Sequence, residues 1–457
     1  MHRRPAARLV AGLLAVTLVA CAADAAPPSS DPSSAPSATH VVVSPSQGPA
    51  TGVVEPAPGS ESGVYAPNPG AIVVAIDPGH GGCLDWGVPD PSERGPELAE
   101  KTLTLAIAER LRDLLAADGI GVLMIRDEDE ALAGDDYPPL GCDGPPWRDV
   151  NGDGLAGFGP DLPEGTRTRD ELQARLDLAN LAGADALISI HINSPTEGGQ
   201  PVEIAFSETF YTDETPWGGT ATARLAEAIQ GGVVDHLDPV ADYDRGDRGI
   251  TAHNFYVVAP TLFEPTDERP DPLKQPARGG LMPVVLSEIG SITLRSEHDL
   301  LASADGQQAV AEGLREGLAT YLGERELAAR IGLADAPVGE APEPVAGDGP
   351  PYWPPVAPNG PLDLRLTNTG TEPWPPGMRL VAGWSVTDQP YLAGAPDDLA
   401  PLDADVPELA PGESVLLSAD LSSPPPGHAV AWISLINGET TLADDGSPAL
   451  QLSSRAP

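Results

Sequence analysis

Two proline-rich stretches divide this chain of 457 residues, and this division constrains its fold more than any other feature. Residues 22–70 are rich in Pro, Ser, Ala and Gly with few apolar clusters, so they cannot bury enough surface to fold. A second proline-rich stretch covers residues 326–359. The sequence therefore predicts two folded parts, residues 71–325 and 360–457, with linkers before and between them.

The net charge excludes one class of partner. Lys and Arg number 25 against 68 Asp and Glu, which gives a formal charge of −43 at pH 7. A chain of that sign is repelled by phosphate backbones. Nucleic acid is therefore not an expected partner.

The N-terminus predicts export. Three arginines, Arg3, Arg4 and Arg8, precede an apolar run, residues 9–20, that is too short to span a bilayer. The run ends in Leu-Val-Ala-Cys, with Cys21 last, and this tetrapeptide resembles the lipobox of bacterial lipoproteins. The resemblance implies that residues 1–21 form a lipoprotein signal and that the Cys21 thiol is lipidated, so the body would lie outside the cell on a membrane anchor. The alternative is an ordinary secretory signal in which the cysteine is accidental.

Strand and helix patterns alternate through residues 71–325. A β-branched run at 72–76 stops at a glycine-rich turn, and apolar residues at helical spacing follow over 97–117. The alternation predicts an α/β domain with a layered, twisted, mostly parallel sheet flanked by helices. The other predicted strands are 122–125, 186–191, a pair within 202–211, 254–258 and 284–288, and the other predicted helices are 172–183, 220–236 and 299–322.

Three polar residues lie at or just past the ends of predicted strands, where α/β enzymes place their chemistry, and a fourth lies in the helix that follows the first of them. His80 follows the first strand, His191 and Glu288 end later ones, and Glu100 lies in the first turn of the first helix. Two imidazoles and a carboxylate with an open fourth position form a recurring hydrolytic zinc site, and a spare carboxylate serves as general base. The alternative from spacing alone is that these histidines are hydrogen-bonded loop residues.

Six motifs follow one another in an order that resembles a known family. Residues 71–323 resemble the zinc-dependent N-acetylmuramoyl-L-alanine amidases, also called amidase type 3. The segments that carry the resemblance are VVAIDPGHGG (73–82), EKTLTLAIA (100–108), RxxxAN (175–180), ADALISIHINS (184–194) and, more weakly, RGITAHNFYVV (248–258) and PVVLSEIG (283–290).

The resemblance implies a role for each candidate site residue. His80, Glu100 and His191 would be the zinc ligands, Glu288 the catalytic carboxylate, and Asn193 a supporting residue.

Three further acids, Glu93, Glu97 and Glu203, are near enough in sequence to compete with Glu100 as the ligand. We prefer Glu100 because Lys101 and an apolar helical pattern follow it.

The resemblance further implies a substrate and a reaction. The enzyme would cut the amide bond between N-acetylmuramic acid and L-alanine in peptidoglycan, for cell-wall remodelling. The alternatives are a zinc hydrolase of another muropeptide amide and a non-catalytic, cell-wall-binding lipoprotein. Ser291, Thr293 and Leu294 depart from the family pattern of Phe, Ser or Thr, and Asn, so the loop that shapes the substrate groove is altered.

An insertion over about residues 130–170 carries a candidate calcium loop. Asp149, Asn151 and Asp153 alternate before a glycine at the sixth position, as in the first half of a calcium-binding loop. Position twelve of an EF-hand would be a proline here. A calcium site and a plain acidic turn therefore both remain open.

The cysteines that remain after lipidation predict a disulfide. Outside the cell an even pair of thiols favours a bridge, here between Cys83 and Cys142. Such a bridge would join the His80 loop to the insertion. The alternative is two unpaired thiols.

Residues 360–457 alternate in strand fashion, with turn signals between the runs. This pattern predicts a small antiparallel β-sandwich. The segments NTGTEPWPPG (368–377) and LAPGESV (409–415) resemble an Ig-like domain of bacterial surface proteins, which implies a binding or spacer role.

Overall fold

The structure is a computed structural model, and its described residues begin at Ala71. The three predicted sites at Cys21, Cys83 and Cys142 lie outside the described residues, so lipidation and the disulfide stay predictions. Within the described part, no helix combines the length and the apolar character that crossing a membrane requires. The described residues are 71–82, 85–91, 93–133, 147–157, 162, 165–213, 219–258, 262–263, 277–336, 338–339, 352, 354–358, 360–387, 396 and 398–454.

The first folded part alternates strands and helices, as predicted. Its strands are β1 (Val73–Pro78), β2 (Gly121–Met124), β3 (Ala186–Asn193), β4 (Thr196–Glu197), β5 (Gln200–Pro201), β6 (Phe206–Tyr211), β7 (Gly246–Ala252), β8 (Leu262–Phe263), β9 (Ala277–Arg278) and β10 (Val284–Ser291). Its α-helices are α1 (Glu100–Ala117), α2 (Thr166–Leu181), α3 (Gly219–Leu237), α4 (Arg295–Leu301) and α5 (Ala304–Gly323).

Six of these strands form one mixed sheet in the order β2-β1-β3-β10-β6-β7. The first four are parallel, β6 runs antiparallel to β10, and β7 is parallel to β6. Helical crossovers account for the parallel neighbours, because a parallel connection needs a dozen or more residues. The prediction of an α/β domain with a sheet flanked by helices is confirmed, and β6 and β7 make that sheet mixed.

The sheet is covered on both faces, which explains why its inner strands are continuous apolar runs. Val74 and Ile76 of β1 belong to a core shared with α1, α3 and α5. The alternate residues Val73 and Ala75 belong to a second core shared with α2. One strand thus contributes to two cores, one on each face of the sheet.

Five predictions about elements were wrong. The strand pair predicted within 202–211 is the single strand β6, and the helix predicted over 299–322 is two helices, α4 and α5, separated by Ala302 and Ser303. Residues 254–258 do not form a strand; β7 lies just before them and is polar and largely exposed, as an edge strand is, so its pattern gave no signal. Helix α2 begins at Thr166, inside the predicted insertion. Residues 329–333, predicted as linker, form a strand of the C-terminal part.

The described strands of the C-terminal part form two antiparallel sheets. The strands are β11 (Ala329–Leu333), β12 (Leu362–Asn368), β13 (Arg379–Thr387), β14 (Ala400–Asp405), β15 (Ser414–Ala419), β16 (His428–Asn437), β17 (Thr440–Thr441) and β18 (Leu450–Ser453). One sheet has the order β11-β12-β15, and the other β14-β13-β16-β17, with β18 also paired to β16. Leucines of β12 share one core with residues of β13 and β16 and with Trp374, which is buried.

Candidate metal centre

Three of the predicted site residues meet at the carboxyl ends of β1 and β3. The two strands are parallel neighbours, so His80 beyond β1 and His191 within β3 reach the same edge of the sheet. Glu100, the first residue of α1, lies between them. Its Oε1 atom is 3.2 Å from His80 Nε2 and 3.2 Å from His191 Nδ1. One ligand atom from each residue lies within 4.8 Å of the others, a separation that one metal ion can bridge.

Small residues allow this close approach. A Cβ atom on Gly79 would lie 2.5 Å from the His191 ring, and one on Gly87 would lie 2.4 Å from Glu100 Oε2. His80 itself has a φ of 62°, which is rare for a residue with a side chain. The glycine-rich turn after β1 is therefore needed for packing the imidazoles and carboxylate together, and His80 is held in a strained conformation there.

Two buried arginines hold the turn. Arg175 donates to the His80 carbonyl at 2.7 Å and to Asp77 Oδ1 at 2.5 Å. Arg126 donates from Nε to the Pro78 carbonyl at 2.9 Å and from Nη2 to the Gly79 carbonyl at 3.1 Å. The two guanidinium groups thus supply hydrogen-bond donors to consecutive backbone carbonyls of the turn. Arg126 was missed because it follows β2 in sequence, far from the turn.

Asp85 also belongs to the site and was missed by the sequence reasoning. Its Oδ1 atom lies 2.8 Å from His80 Nδ1, on the side of the ring away from Glu100. A carboxylate there fixes the orientation of the imidazole and leaves Nε2 facing the centre of the cluster. The only signal in the sequence is that an acid follows His80 within the same turn.

Two backbone amides hold Glu100 at the cluster, which distinguishes it from the three other acids that could have been the carboxylate ligand. Val88 N–H donates to Glu100 Oε2 at 2.9 Å, and Ile192 N–H donates to Oε1 at 2.9 Å. The competing acids Glu93, Glu97 and Glu203 are absent from the metal-ligand cluster found among the described residues. Glu100 is buried, whereas Glu97 is exposed.

The electrostatics of the cluster favour positive charge at its centre. Burial alone would lower the pKa of His80, yet Glu100 and Asp85 outweigh it and raise that pKa well above its usual range. Burial would raise the pKa of Glu100, but the two imidazoles hold it below its usual range. Both shifts come from one arrangement, a buried carboxylate between two rings, which stabilises a proton or a metal cation.

Glu288 lies beside the cluster on the next strand. In the register of β10 and β3 it is opposite His191, and it is 7% exposed. No hydrogen bond reaches its Oε2 atom from any residue that the structure describes. Burial, reinforced by the negative charge of Glu100, raises the pKa of Glu288 well above its usual range. A buried carboxyl with an unused oxygen and a raised pKa is suited to accept and release a proton.

Asn193, Ser291 and Thr293 lie at or after the strand ends next to Glu288. Asn193 ends β3, and its backbone carbonyl accepts the Ile292 N–H at 2.9 Å. Ser291 Oγ is 2.9 Å from Thr293 Oγ1, and that hydroxyl donates to the Val202 carbonyl at 2.6 Å. The departures from the family pattern at Ser291 and Thr293 thus tie the loop after β10 to the segment that leads into β6.

The acidic loop of the insertion lies beside the first turn of α2, apart from this cluster. Asp149 accepts the backbone N–H groups of Gly152 and Gly154, each at 2.7 Å. Asp153 pairs with Arg169 at 3.1 Å. The loop is a closed turn, and calcium binding to it stays a prediction.

A comparison with protein families identifies one family. The family model described as N-acetylmuramoyl-L-alanine amidase matches residues 74–320. The uncharacterized protein YqiI of Bacillus subtilis is 26% identical over 248 residues, covering 54% of this chain and 84% of that protein. The sporulation-specific N-acetylmuramoyl-L-alanine amidase of Bacillus subtilis is 27% identical over 249 residues, covering 54% of this chain and 67% of that protein.

Solved structures were compared as well. An N-acetylmuramoyl-L-alanine amidase from Clostridium difficile 630 is 25% identical, covers 56% of this chain and 98% of its own, and superimposes with a TM-score of 0.37.

Proposed function

This chain belongs to the N-acetylmuramoyl-L-alanine amidase family, and we propose that it is a zinc enzyme that hydrolyses the bond between N-acetylmuramic acid and L-alanine in peptidoglycan. The observation that carries the proposal is the cluster of His80, Glu100 and His191 with Glu288 beside it. Removal of the stem peptide from the glycan would serve cell-wall remodelling.

The donor set fits zinc. Zinc in proteins takes imidazole nitrogen and carboxylate oxygen, and three protein ligands leave a position for water or substrate. His80, Glu100 and His191 would hold the ion, with Asp85 orienting the His80 ring. When bound, zinc would polarise the scissile carbonyl and acidify a water molecule.

Glu288 would move the protons. Its unused Oε2 atom accepts the proton of the attacking water as the carbon–oxygen bond forms. It then delivers that proton to the nitrogen of L-alanine as the carbon–nitrogen bond breaks, which releases a stem peptide with a free amine.

The test is digestion of purified sacculi, with mass spectrometry of the released muropeptides. We expect stem peptides that begin with a free L-alanine amine, and their loss when zinc is removed. Glu288→Gln should keep about one zinc per chain while its rate falls about 10²–10⁴-fold, the usual value of general acid–base assistance. Glu100→Gln should lose both metal and rate, whereas the matched variant Glu97→Gln, at an exposed competing acid, should keep both.

Other outcomes would change the role of Glu288 or favour an alternative function. Loss of metal in Glu288→Gln would make Glu288 a ligand, and retention of both metal and rate would refute its role. Fragments cut at a different amide would identify a zinc hydrolase of another muropeptide. No release by the zinc-loaded wild-type protein would favour a non-catalytic wall-binding protein.

The cellular setting is part of the same proposal. We propose that Cys21 is lipidated and holds the enzyme on the outer side of the cell membrane, facing the cell wall. The support is the resemblance of residues 18–21 to a lipobox. The C-terminal two-sheet part, proposed as an Ig-like module, would then act as a binding or spacer element.

A further inference from the structure

A row of polar side chains crosses the sheet from the metal centre towards the edge strand β7. Glu288 of β10 is opposite His191 of β3 on one side and opposite Glu208 of β6 on the other. Residues that are directly opposite each other on paired strands have their side chains on the same face of the sheet. Glu208 therefore lies beside Glu288, on the face that carries His191.

A β-bulge in β7 extends this row to Arg248. The register of β6 and β7 shifts between Ser207 and Thr209, so two residues of β7, Arg248 and Gly249, are opposite Glu208 alone. Gly249 has a φ of 70°, a conformation that glycine adopts without strain. Bulges next to active sites commonly redirect a side chain. Here Arg248 Nη1 lies 3.7 Å from Glu208 Oε2.

The Arg248 guanidinium is held in place, and its donors remain available. Its Cζ atom lies 3.4 Å from the centroid of the Phe206 ring, which is a cation–π contact. The distance to Glu208 is too long for a hydrogen bond, and Glu208 Oε1 instead accepts the Thr251 hydroxyl at 2.7 Å. Across the described ranges, no acceptor lies within hydrogen-bond distance of this guanidinium. Because the Arg248 side chain is 35% exposed, a ligand can reach it.

The cations next to the metal centre are used by the chain itself. Lys101 Nζ donates to the Gly82 carbonyl and to Asp129 Oδ2, each at 2.7 Å. Arg126 and Arg175 are buried and donate to carbonyls of the His80 turn, as described above. The chain as a whole has a formal charge of −43, which repels an anionic substrate. A partly exposed arginine beside the site therefore provides a local attraction for an anionic group.

On the basis of the proposed amidase function, we propose that Arg248 binds a free carboxylate of the stem peptide, at the residue that follows L-alanine. Neighbouring strands lie about 4.8 Å apart, so β7 is about 10 Å from β10, and the contacts of Arg248 with Phe206 and Glu208 bring its guanidinium back over β6. A peptide extends about 3.5 Å per residue, so a carboxylate one residue beyond the scissile amide matches this separation. A guanidinium also offers two parallel N–H groups to a carboxylate.

The test compares two synthetic N-acetylmuramoyl tripeptides that differ only at the second residue of the peptide. This residue has a free carboxylate in one substrate and an amide in its place in the other. For the zinc-loaded wild-type protein, kcat/KM should be about 10–100-fold higher with the acid, the range that a hydrogen bond to a charged group provides. The difference should lie mainly in KM, because the contact is remote from the bond that breaks and is made before and during the reaction.

Variants of Arg248 should remove this preference. Arg248→Gln should lower kcat/KM for the acid to about the value for the amide and leave the amide almost unaffected, which also shows that the variant is folded. Arg248→Lys keeps the charge but loses the paired N–H groups, so it should keep only part of the preference. The matched control is Arg112→Gln on α1, because the Arg112 side chain is 37% exposed and pairs with Asp113, and this variant should keep the full preference.

Equal cleavage of the two tripeptides by the wild-type protein would overturn the subsite and leave the amidase function standing, and so would a full preference in Arg248→Gln. If the wild-type protein cuts neither tripeptide, titration calorimetry decides. Tighter binding of the acid that is lost in Arg248→Gln would support the subsite, whereas equal affinities would overturn it. Failure of the same protein on purified sacculi would refute the amidase function, so the two conclusions are separable.

Discussion

The two ends of the strand pair β1 and β3 carry polar clusters of opposite character. At the carboxyl ends, His80 and His191 have side chains that are 24% and 15% exposed around the buried Glu100. At the amino ends, Asp185 has no exposed surface and faces Arg325 and Arg330 at 3.3 and 3.4 Å.

The difference lies in what completes each cluster. Asp185 also accepts the Val73 N–H at 3.0 Å, so its oxygens are used by groups of the chain itself. Arg330 belongs to β11, and the amino-end cluster therefore fixes the C-terminal β part to the α/β part. The carboxyl-end cluster instead leaves Glu288 Oε2 without a hydrogen bond from the described residues. The amino-end cluster, called the closed end below, has its charges paired within the chain and joins the two parts. The carboxyl-end cluster, called the open end below, keeps an oxygen that can interact with a ligand.

The largest expected effect comes from breaking the closed cluster. Asp185→Asn keeps a side chain of the same size but leaves two buried guanidinium groups without a counter-charge. Loss of one partner of a buried ion pair costs about 3–5 kcal/mol, which lowers the Tm of a domain of this size by about 6–20 °C. Differential scanning calorimetry measures the shift, and zinc content and activity below the transition should stay normal.

A matched control uses an exposed pair. Asp118 Oδ2 pairs with Arg315 Nε at 2.5 Å, and both side chains are about one-third exposed or more. Asp118→Asn should therefore change stability by less than about 1 kcal/mol. If Asp185→Asn were as mild as this control, the amino-end cluster would not hold the two parts together.

The next effect in size comes from displacing a ligand without removing it. Gly79→Ala puts a methyl group about 2.5 Å from the His191 ring, so the ring must move. A displacement of about 1 Å at a reacting centre costs about 10²-fold in rate. Turnover of sacculi and bound zinc, measured on one preparation, should both fall while the Tm changes little. Gly231→Ala is the control, because its Cβ meets no atom within 4 Å and its φ lies outside the left-handed region.

The open end could largely be predicted from sequence, because its residues stand at visible strand ends. Apolar runs identified β1, β3 and β10, and parallel order then brings His80, His191 and Glu288 to one edge. Glu100 followed from the start of an amphipathic helix. Each of these positions can be recognised from the pattern of its own segment.

The closed end could not be predicted, because its partners are far apart in sequence. Asp185 and Arg330 are separated by 145 residues, and Arg330 lies in a segment that was interpreted as linker. The same holds for Arg126 at the His80 turn and for Asp170 of α2, which accepts the Val150 and Asn151 N–H groups of the acidic loop. Each completes its cluster through a long-range tertiary contact, and such a contact produces no periodicity or motif in the sequence.

The smallest expected effect tests how far the open end depends on a residue outside the ligand set. Asp85→Asn removes the carboxylate that orients the His80 ring but preserves a hydrogen-bonding group of the same shape. Loss of such an outer partner typically costs 10–100-fold in metal affinity or activity. We expect the zinc dissociation constant, measured by competition with a chromogenic chelator, to rise by about that factor.

At saturating zinc the rate of the Asp85→Asn variant should largely recover, because the ligands themselves are intact. Asp85→Ala should weaken zinc binding further. The control is Asp90→Asn, because Asp90 pairs with Arg94 and not with His80, so this variant should leave the zinc affinity unchanged. A rate that stays low at saturating zinc would show that Asp85 acts on the reaction itself, and an unchanged affinity in Asp85→Ala would show that the ring needs no such support.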